Sequence, residues 1–202
     1  MQLYTIGHSV YPIDHFLSLL KRYNVQYVLD VRSTPYSQHT PQYDKENLQK
    51  VLGENNIKYF HMKKQFGARQ LNRYFYTQEG YLNFEVFRQS NAFKQGIESV
   101  KRGLKKYNIA LLCTEKDPID CHRAIMVARG CELEGIDVKH ILHDGSILTQ
   151  KEFNRELLDL YFPERLQTTL DLDGFGELKT DEEYLVEAYR KRNKKIGWHL
   201  TK

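Results

Sequence analysis

The stretch NIALLCTEKDPIDCHRAIMVARGCELEGIDVKHIL, residues 108–142, decides the fold. Ile109–Cys113 is an unbroken apolar run with no polar face, which suits a strand covered on both sides. A polar turn, Thr114–Asp120, follows. DCHRAIMVARGCELEG then reads as a helix stopped by Gly135, and VKHIL as the next strand. Strand, helix, strand in this order is a β-α-β unit, and two strands joined through a helix lie parallel.

The same alternation continues upstream. QLYTIG is a short strand, and PIDHFLSLLKRYN places Ile13, Phe16, Leu17 and Leu20 at helical spacing behind Pro12. VQYVLDVR reads as a second strand, and DKENLQKVLGENN as a helix with Leu48, Val51 and Leu52 on one face. IKYFHM is a third strand. Residues 66–90 are aromatic and irregular, and a helix is expected from about 91 to 107. Downstream, TQKEFNRELLDLYF opens with a capping box, Thr149 and Glu152, and stops before Pro163. The expected fold is α/β: a mostly parallel five-stranded sheet with helices on both faces, a Rossmann-like three-layer sandwich. Residues 1–162 form this domain. Residues 163–202 form a C-terminal extension, aperiodic at first, with one exposed charged helix from about 181.

A chain of 202 residues with 41% hydrophobic and 28% charged residues can bury a core without staples, which excludes a disordered or fibrous class. No apolar run is long enough to span a bilayer. MQLYTIGHSV has no charged start leading into an apolar stretch, so no secretory leader is expected. Three cysteines cannot all pair within the chain, which points to a reducing, cytoplasmic setting. The net charge of +4 permits an anionic partner. The surplus falls within residues 1–162, because 163–202 balances eight bases against eight acids. Those charges are segregated. The run Arg190–Lys195 could touch nucleic acid, or simply complement the dipole of a helix end.

In parallel α/β folds ligands bind beyond the carboxyl ends of the strands. Polar clusters follow four strands here: Gly7, His8 and Ser9; Asp30, Arg32, Pro35 and Ser37; Gly67 and Arg69; and the run from Cys113 to Arg123. Asp120 is placed to cap the following helix, putting Cys121, His122 and Arg123 in its first turn. Free N–H groups there favour a thiolate at Cys121, or hold an anion together with Arg123. Both readings of Cys121 stand. Cys113, ending an apolar strand, reads as a buried small hydrophobe, and Cys131 as helix packing. Glu115 suits a general base, or an ion pair with Lys116 or Arg123, and His8 suits proton transfer or a turn. Asp30 is expected to hold its loop through an ion pair, leaving Arg32 free for a ligand. The cysteine spacing differs from common zinc sites, so no metal is expected. With no glycine-rich phosphate loop after the first strand, no cofactor is expected.

TIGHS, LDVRSTPYS and LLCTEKDPIDCHRAIMVARGCELEGIDVKHI resemble, in order and spacing, the domain-of-unknown-function 488 family over roughly residues 1–162. The family's LGG-type loop stands here as FGAR, residues 66–69. The resemblance implies a prokaryotic, cytoplasmic α/β protein without an assigned activity. It marks His8, Asp30, Arg32, Pro35, Ser37, Cys113, Glu115, Cys121, His122 and Arg123 as motif positions. A fainter pattern, a strand ending in DVR and a later one ending in cysteine, is similar to rhodaneses. That likeness implies a sulfurtransferase with its persulfide on Cys113.

Three functions compete. One is an enzyme, hydrolase or transferase, acting on a phosphate-bearing nucleotide or nucleic acid. In it Ser9, Arg32, Ser37, Arg69, Lys116 and Arg123 bind the substrate, and His8, Glu115, Cys121 and His122 perform the chemistry. The second is a sulfurtransferase using Cys113 or Cys121. The third is a non-catalytic nucleic-acid binding module with tyrosines stacked on bases.

Overall fold

Five strands form where the alternation places them: β1 (Leu3–Gly7), β2 (Tyr27–Asp30), β3 (Lys58–His61), β4 (Ile109–Cys113) and β5 (Val138–Ile141). They belong to a computed structural model that describes residues 1–165 and 179–200. A sixth strand, β6 (Ile147–Thr149), was not expected and runs antiparallel to β5. It is three residues long, too short for a periodicity to show. The turn before it carries the hairpin signal instead: Gly145 has φ +80°, and the Leu142 N–H donates to the Ser146 carbonyl at 3.0 Å.

The sheet order is β3-β2-β4-β1-β5-β6, with every pairing parallel except the last. β4 lies inside the sheet and is buried at all five residues, as its composition requires. Ala110 and Leu112 face one side, packing with Phe16, Leu20, Leu48 and Leu52 of α1 (Ile13–Arg22) and α2 (Lys45–Glu54). Ile109, Leu111 and Cys113 face the other side and a second, larger core. That core is covered by α3 (Lys63–Phe66), α4 (Phe84–Arg88), α5 (Asn91–Leu104), α6 (Arg129–Leu133), α7 (Gln150–Tyr161) and α8 (Asp181–Ile196). Three layers result. The capping box at Thr149 and Glu152 forms as expected.

Three elements differ from expectation. The irregular region contains α4 and a 3-10 turn at Arg73–Phe75, and α3 leads into it, each too short for a clear apolar period. The helix after Cys121 starts as a π-helical stretch, Arg123–Ala128, all of it buried, before tightening into α6. Finally, α8 is not an exposed appendage. Leu185, Ala188, Tyr189, Arg192 and Asn193 are buried, and only its outer face is charged and solvated. Arg190 and Lys194 of its basic run pair with Glu85 and Glu79. Arg192 turns inward to the Asp120 carboxylate and the Ile119 carbonyl. The aperiodic stretch before α8 lies largely in residues 166–178, outside the described residues.

The register that builds the site pairs Gly7 with Cys113 and Asp30 with Leu112. The loops after β1, β2 and β4 therefore leave one edge side by side. Gly7 is required by this crowding, because a Cβ there would lie 1.9 Å from the Glu115 carbonyl oxygen, a backbone atom. Gly7→Ala is expected to cost about 1–3 kcal/mol of unfolding free energy, read from urea midpoints. Gly53→Ala is the control, since its Cβ meets nothing within 4 Å. Equal midpoints for the two variants would contradict the steric argument.

Candidate functional site

A cleft of about 530 Å³ opens at the carboxyl edge of β2 and β4. Its floor is Arg32, Cys113, Glu115 and His122. Ser33, Thr34 and Thr114 add hydroxyl groups, and residues 196–199, at and beyond the end of α8, supply the far wall. Leu82 N–H donates to the Trp198 carbonyl, and Leu200 N–H to the Gly80 carbonyl, so this wall is fastened by backbone hydrogen bonds.

Four side chains converge on the floor. One donor atom from each of Cys113, Glu115, Cys121 and His122 lies within 4.8 Å of the others. Glu115 Oε2 is 3.0 Å from Cys113 Sγ and 2.8 Å from Cys121 Sγ. Cys113 Sγ is 3.6 Å from His122 Nδ1. Although Glu115 as a residue is exposed, its carboxylate is turned inward onto the two sulfurs. The His122 Nε2–H donates to the Val31 carbonyl at 3.1 Å, which fixes the ring and points Nδ1 at the sulfurs. All three cysteines are free thiols.

The local sequence explains the convergence. β4 delivers Cys113 at its end, and Glu115 follows two residues later. The 3-10 turn Pro118–Asp120 brings the chain back, leaving Cys121 extended (φ −127°, ψ 135°) just before the helical turn. Asp120 was expected to cap that helix but instead binds Arg192. The Cys121 sulfur takes over, accepting the Arg123 N–H at 3.4 Å.

The electrostatics of the two thiols diverge. Burial opposes ionisation of Cys121, but the Cys113 thiol, the Arg123 guanidinium and His122 outweigh it and hold Cys121 well below its ordinary value. Burial, Cys121 and Glu115 push Cys113 well up. Burial and the neighbouring Cys121 raise the Glu115 carboxyl. Burial works against a charged His122, yet Cys121 and Glu115 raise it overall. Cys113 is thus more than packing, because its sulfur belongs to the cluster. Cys131 is packing, fully buried, its thiol pushed up to about 12 by burial.

The other expected site residues divide. Arg69 faces the cleft, its guanidinium 3.6 Å above the Trp198 ring centroid. Arg32 lines the floor but is not free. Its Nε and Nη2 bind Asp30, Nη2 also reaches the Tyr43 carbonyl, and Nη1 donates to His8 Nε2 at 3.1 Å. His8 is buried and stacked on Tyr43 with ring centroids 4.1 Å apart, and its Nδ1–H donates to the Ser9 carbonyl. Burial and then Arg32 lower it to about 4, so it is a neutral prop for Arg32 rather than a proton carrier at the rim.

Arg123 was expected to clasp an anion and is fully buried. Nη1 and Nη2 donate to the Glu115 and Lys116 carbonyls, so it supports the site loop from behind. Lys116 is exposed on a separate hollow beside Pro118 and His143. Ser9 donates its N–H to the Thr114 carbonyl, and Ser37 braces its own loop through Asp44 and His39. Neither lines the cleft. Sequence reasoning missed Trp198, His199 and Arg192. The lone tryptophan was a usable signal, whereas nothing local marks Arg192 as turned inward.

A family model described as "Domain of unknown function DUF488" matches residues 12–129, more than half of the chain. No curated protein and no solved structure matches it. Among the described residues no helix is long and apolar enough to cross a membrane.

Proposed function

Starting from a chain that belongs to the DUF488 family, we propose that the cleft is the active site of an enzyme acting on a phosphate-bearing nucleotide or oligonucleotide. The observation that carries the enzyme reading is the convergence of Cys113, Glu115, Cys121 and His122, three of which, Cys113, Glu115 and His122, line an open cleft. Buried titratable groups that shift one another mark catalytic sites more than packing sites. The substrate class rests on Arg69. Its guanidinium keeps its N–H groups at the cleft while its face lies on Trp198, which suits an anionic group carried next to a planar ring. Arg32, with its other donors committed, lends at most one remaining N–H.

Trp198 is the only tryptophan and lines the cleft, so its fluorescence reports occupancy. Titration with inorganic phosphate, adenosine monophosphate and a short oligothymidylate is expected to give a saturable change with the nucleotide ligands. Arg69→Gln should weaken it at least about tenfold, the loss of one charge-assisted contact. If none of the three ligands perturbs Trp198, the substrate reading is wrong.

A further inference from the structure

We propose that Cys113, Glu115, Cys121 and His122 bind one divalent transition-metal ion, zinc foremost. The site is the one described above, but the inference rests on the donor atoms alone and does not depend on what the cleft binds.

The cluster has the donor set, spacing and support that such an ion needs. Two thiols, one carboxylate and one imidazole nitrogen are four ligands of the types zinc takes, at about 2.3 Å for sulfur and about 2.0–2.2 Å for nitrogen and oxygen. Tetrahedral geometry at those bond lengths sets neighbouring donors about 3.3–3.8 Å apart. Three of the donor contacts here run from 2.8 Å to 3.6 Å and every pair lies within 4.8 Å, so seating an ion needs shifts of about 1 Å at most. Thiolate donors select against magnesium and calcium.

The surroundings agree. The His122 Nε2–H is anchored on a backbone carbonyl, as a metal-bound imidazole usually is, and its Nδ1 is left for the ion. The Arg123 N–H bond to Cys121 Sγ favours a thiolate. Three groups that lose protons to become anions lie within 4.8 Å of one another. Arg123, behind them, spends its Nη donors on carbonyls. A divalent ion would balance those charges, displacing the thiol protons to solvent on binding. Sequence spacing hides the site because Cys113 and Glu115 leave a strand end while Cys121 and His122 start a helix.

The test uses the full chain, expressed with zinc and purified under a reductant. Elemental analysis is expected to find one zinc per chain, and replacement by cobalt(II) a sulfur-to-cobalt charge-transfer band with the intense visible bands of tetrahedral cobalt. Cys121→Ala and His122→Ala should each lower zinc affinity at least about 100-fold in competition with a chromophoric chelator. Cys131→Ala, remote in the core, should retain it, and circular dichroism establishes that each variant is folded. Absence of zinc together with no cobalt charge-transfer band on the reduced wild-type chain would overturn the proposal. So would full zinc affinity in folded Cys121→Ala. Trp198 titration of the same zinc-free wild-type chain tests nucleotide binding separately.

Discussion

Asp30→Ala should remove about 3–5 kcal/mol of unfolding free energy, the cost of leaving a buried charge without its partner. Asp30 is fully buried, and its carboxylate accepts from the Arg32 backbone N–H, Nε and Nη2 and from the Tyr59 hydroxyl. Without it, Arg32 keeps only His8 Nε2 and the Tyr43 carbonyl. Burial disfavours the guanidinium, and the hydrogen bonds and charge of Asp30 more than offset it. Equilibrium urea unfolding gives the loss directly. The double replacement Asp30→Leu with Arg32→Met separates charge from packing, since it removes both ions and should cost clearly less than Asp30→Ala alone. A single variant within about 1 kcal/mol of wild type, or a double variant worse than the single, would contradict a buried pair that holds the floor of the cleft.

Acidification should destabilise the fold well above the carboxylate range. His140 is fully buried, accepting at Nδ1 from the Thr5 hydroxyl and donating Nε2–H to the Gln150 side-chain carbonyl. Burial, then the Arg123 charge, lowers it to about 3. His8 is lowered to about 4. An unfolded histidine takes up its proton near pH 6.5, so between there and about 4 the unfolded chain binds protons that the native chain refuses. Stability from these two groups is complete above pH 6.5 and drains as pH falls toward 4. From pH 7 to pH 5 the loss is about 2 kcal/mol for each histidine, or about 4 kcal/mol together. His122, held above its ordinary value, works in the opposite direction. The decisive comparison is therefore the pH 7 to pH 5 difference in wild type and in His140→Gln. The glutamine keeps an amide donor and acceptor without titrating, and the difference should shrink by about 2 kcal/mol. An unchanged difference would mean that His140 is protonated in the native state.

Much of this molecule was legible in the chain. The apolar run of β4 and the capping box of α7 depend on neighbours close in sequence, and both form as read. So does the helical spacing of Phe16, Leu17 and Leu20, and Arg32, Arg69, Cys113, Glu115 and His122 meet at one edge of the sheet. β6 and the short helices between residues 63 and 88 escaped because three to five residues do not establish a period.

Asp30 forms the ion pair expected of it, but the directions of three arginines were not legible. Whether Arg32, Arg123 and Arg192 face a ligand or the protein depends on which carbonyls and carboxylates the folded chain brings within reach. Arg123 finds the Glu115 and Lys116 carbonyls, Arg32 finds Asp30 and His8, and Arg192 finds Asp120 across 72 residues. The alternation of apolar runs over residues 108–142 determined by itself that a parallel sheet forms and that its polar loops share an edge. It did so because strand and helix periodicity is a property of consecutive residues. Only the tertiary structure decided that two cysteines, a glutamate and a histidine meet there while the expected anion clasp turns inward. Long side chains take their direction from partners distant in sequence, and burial decides which of them ionise.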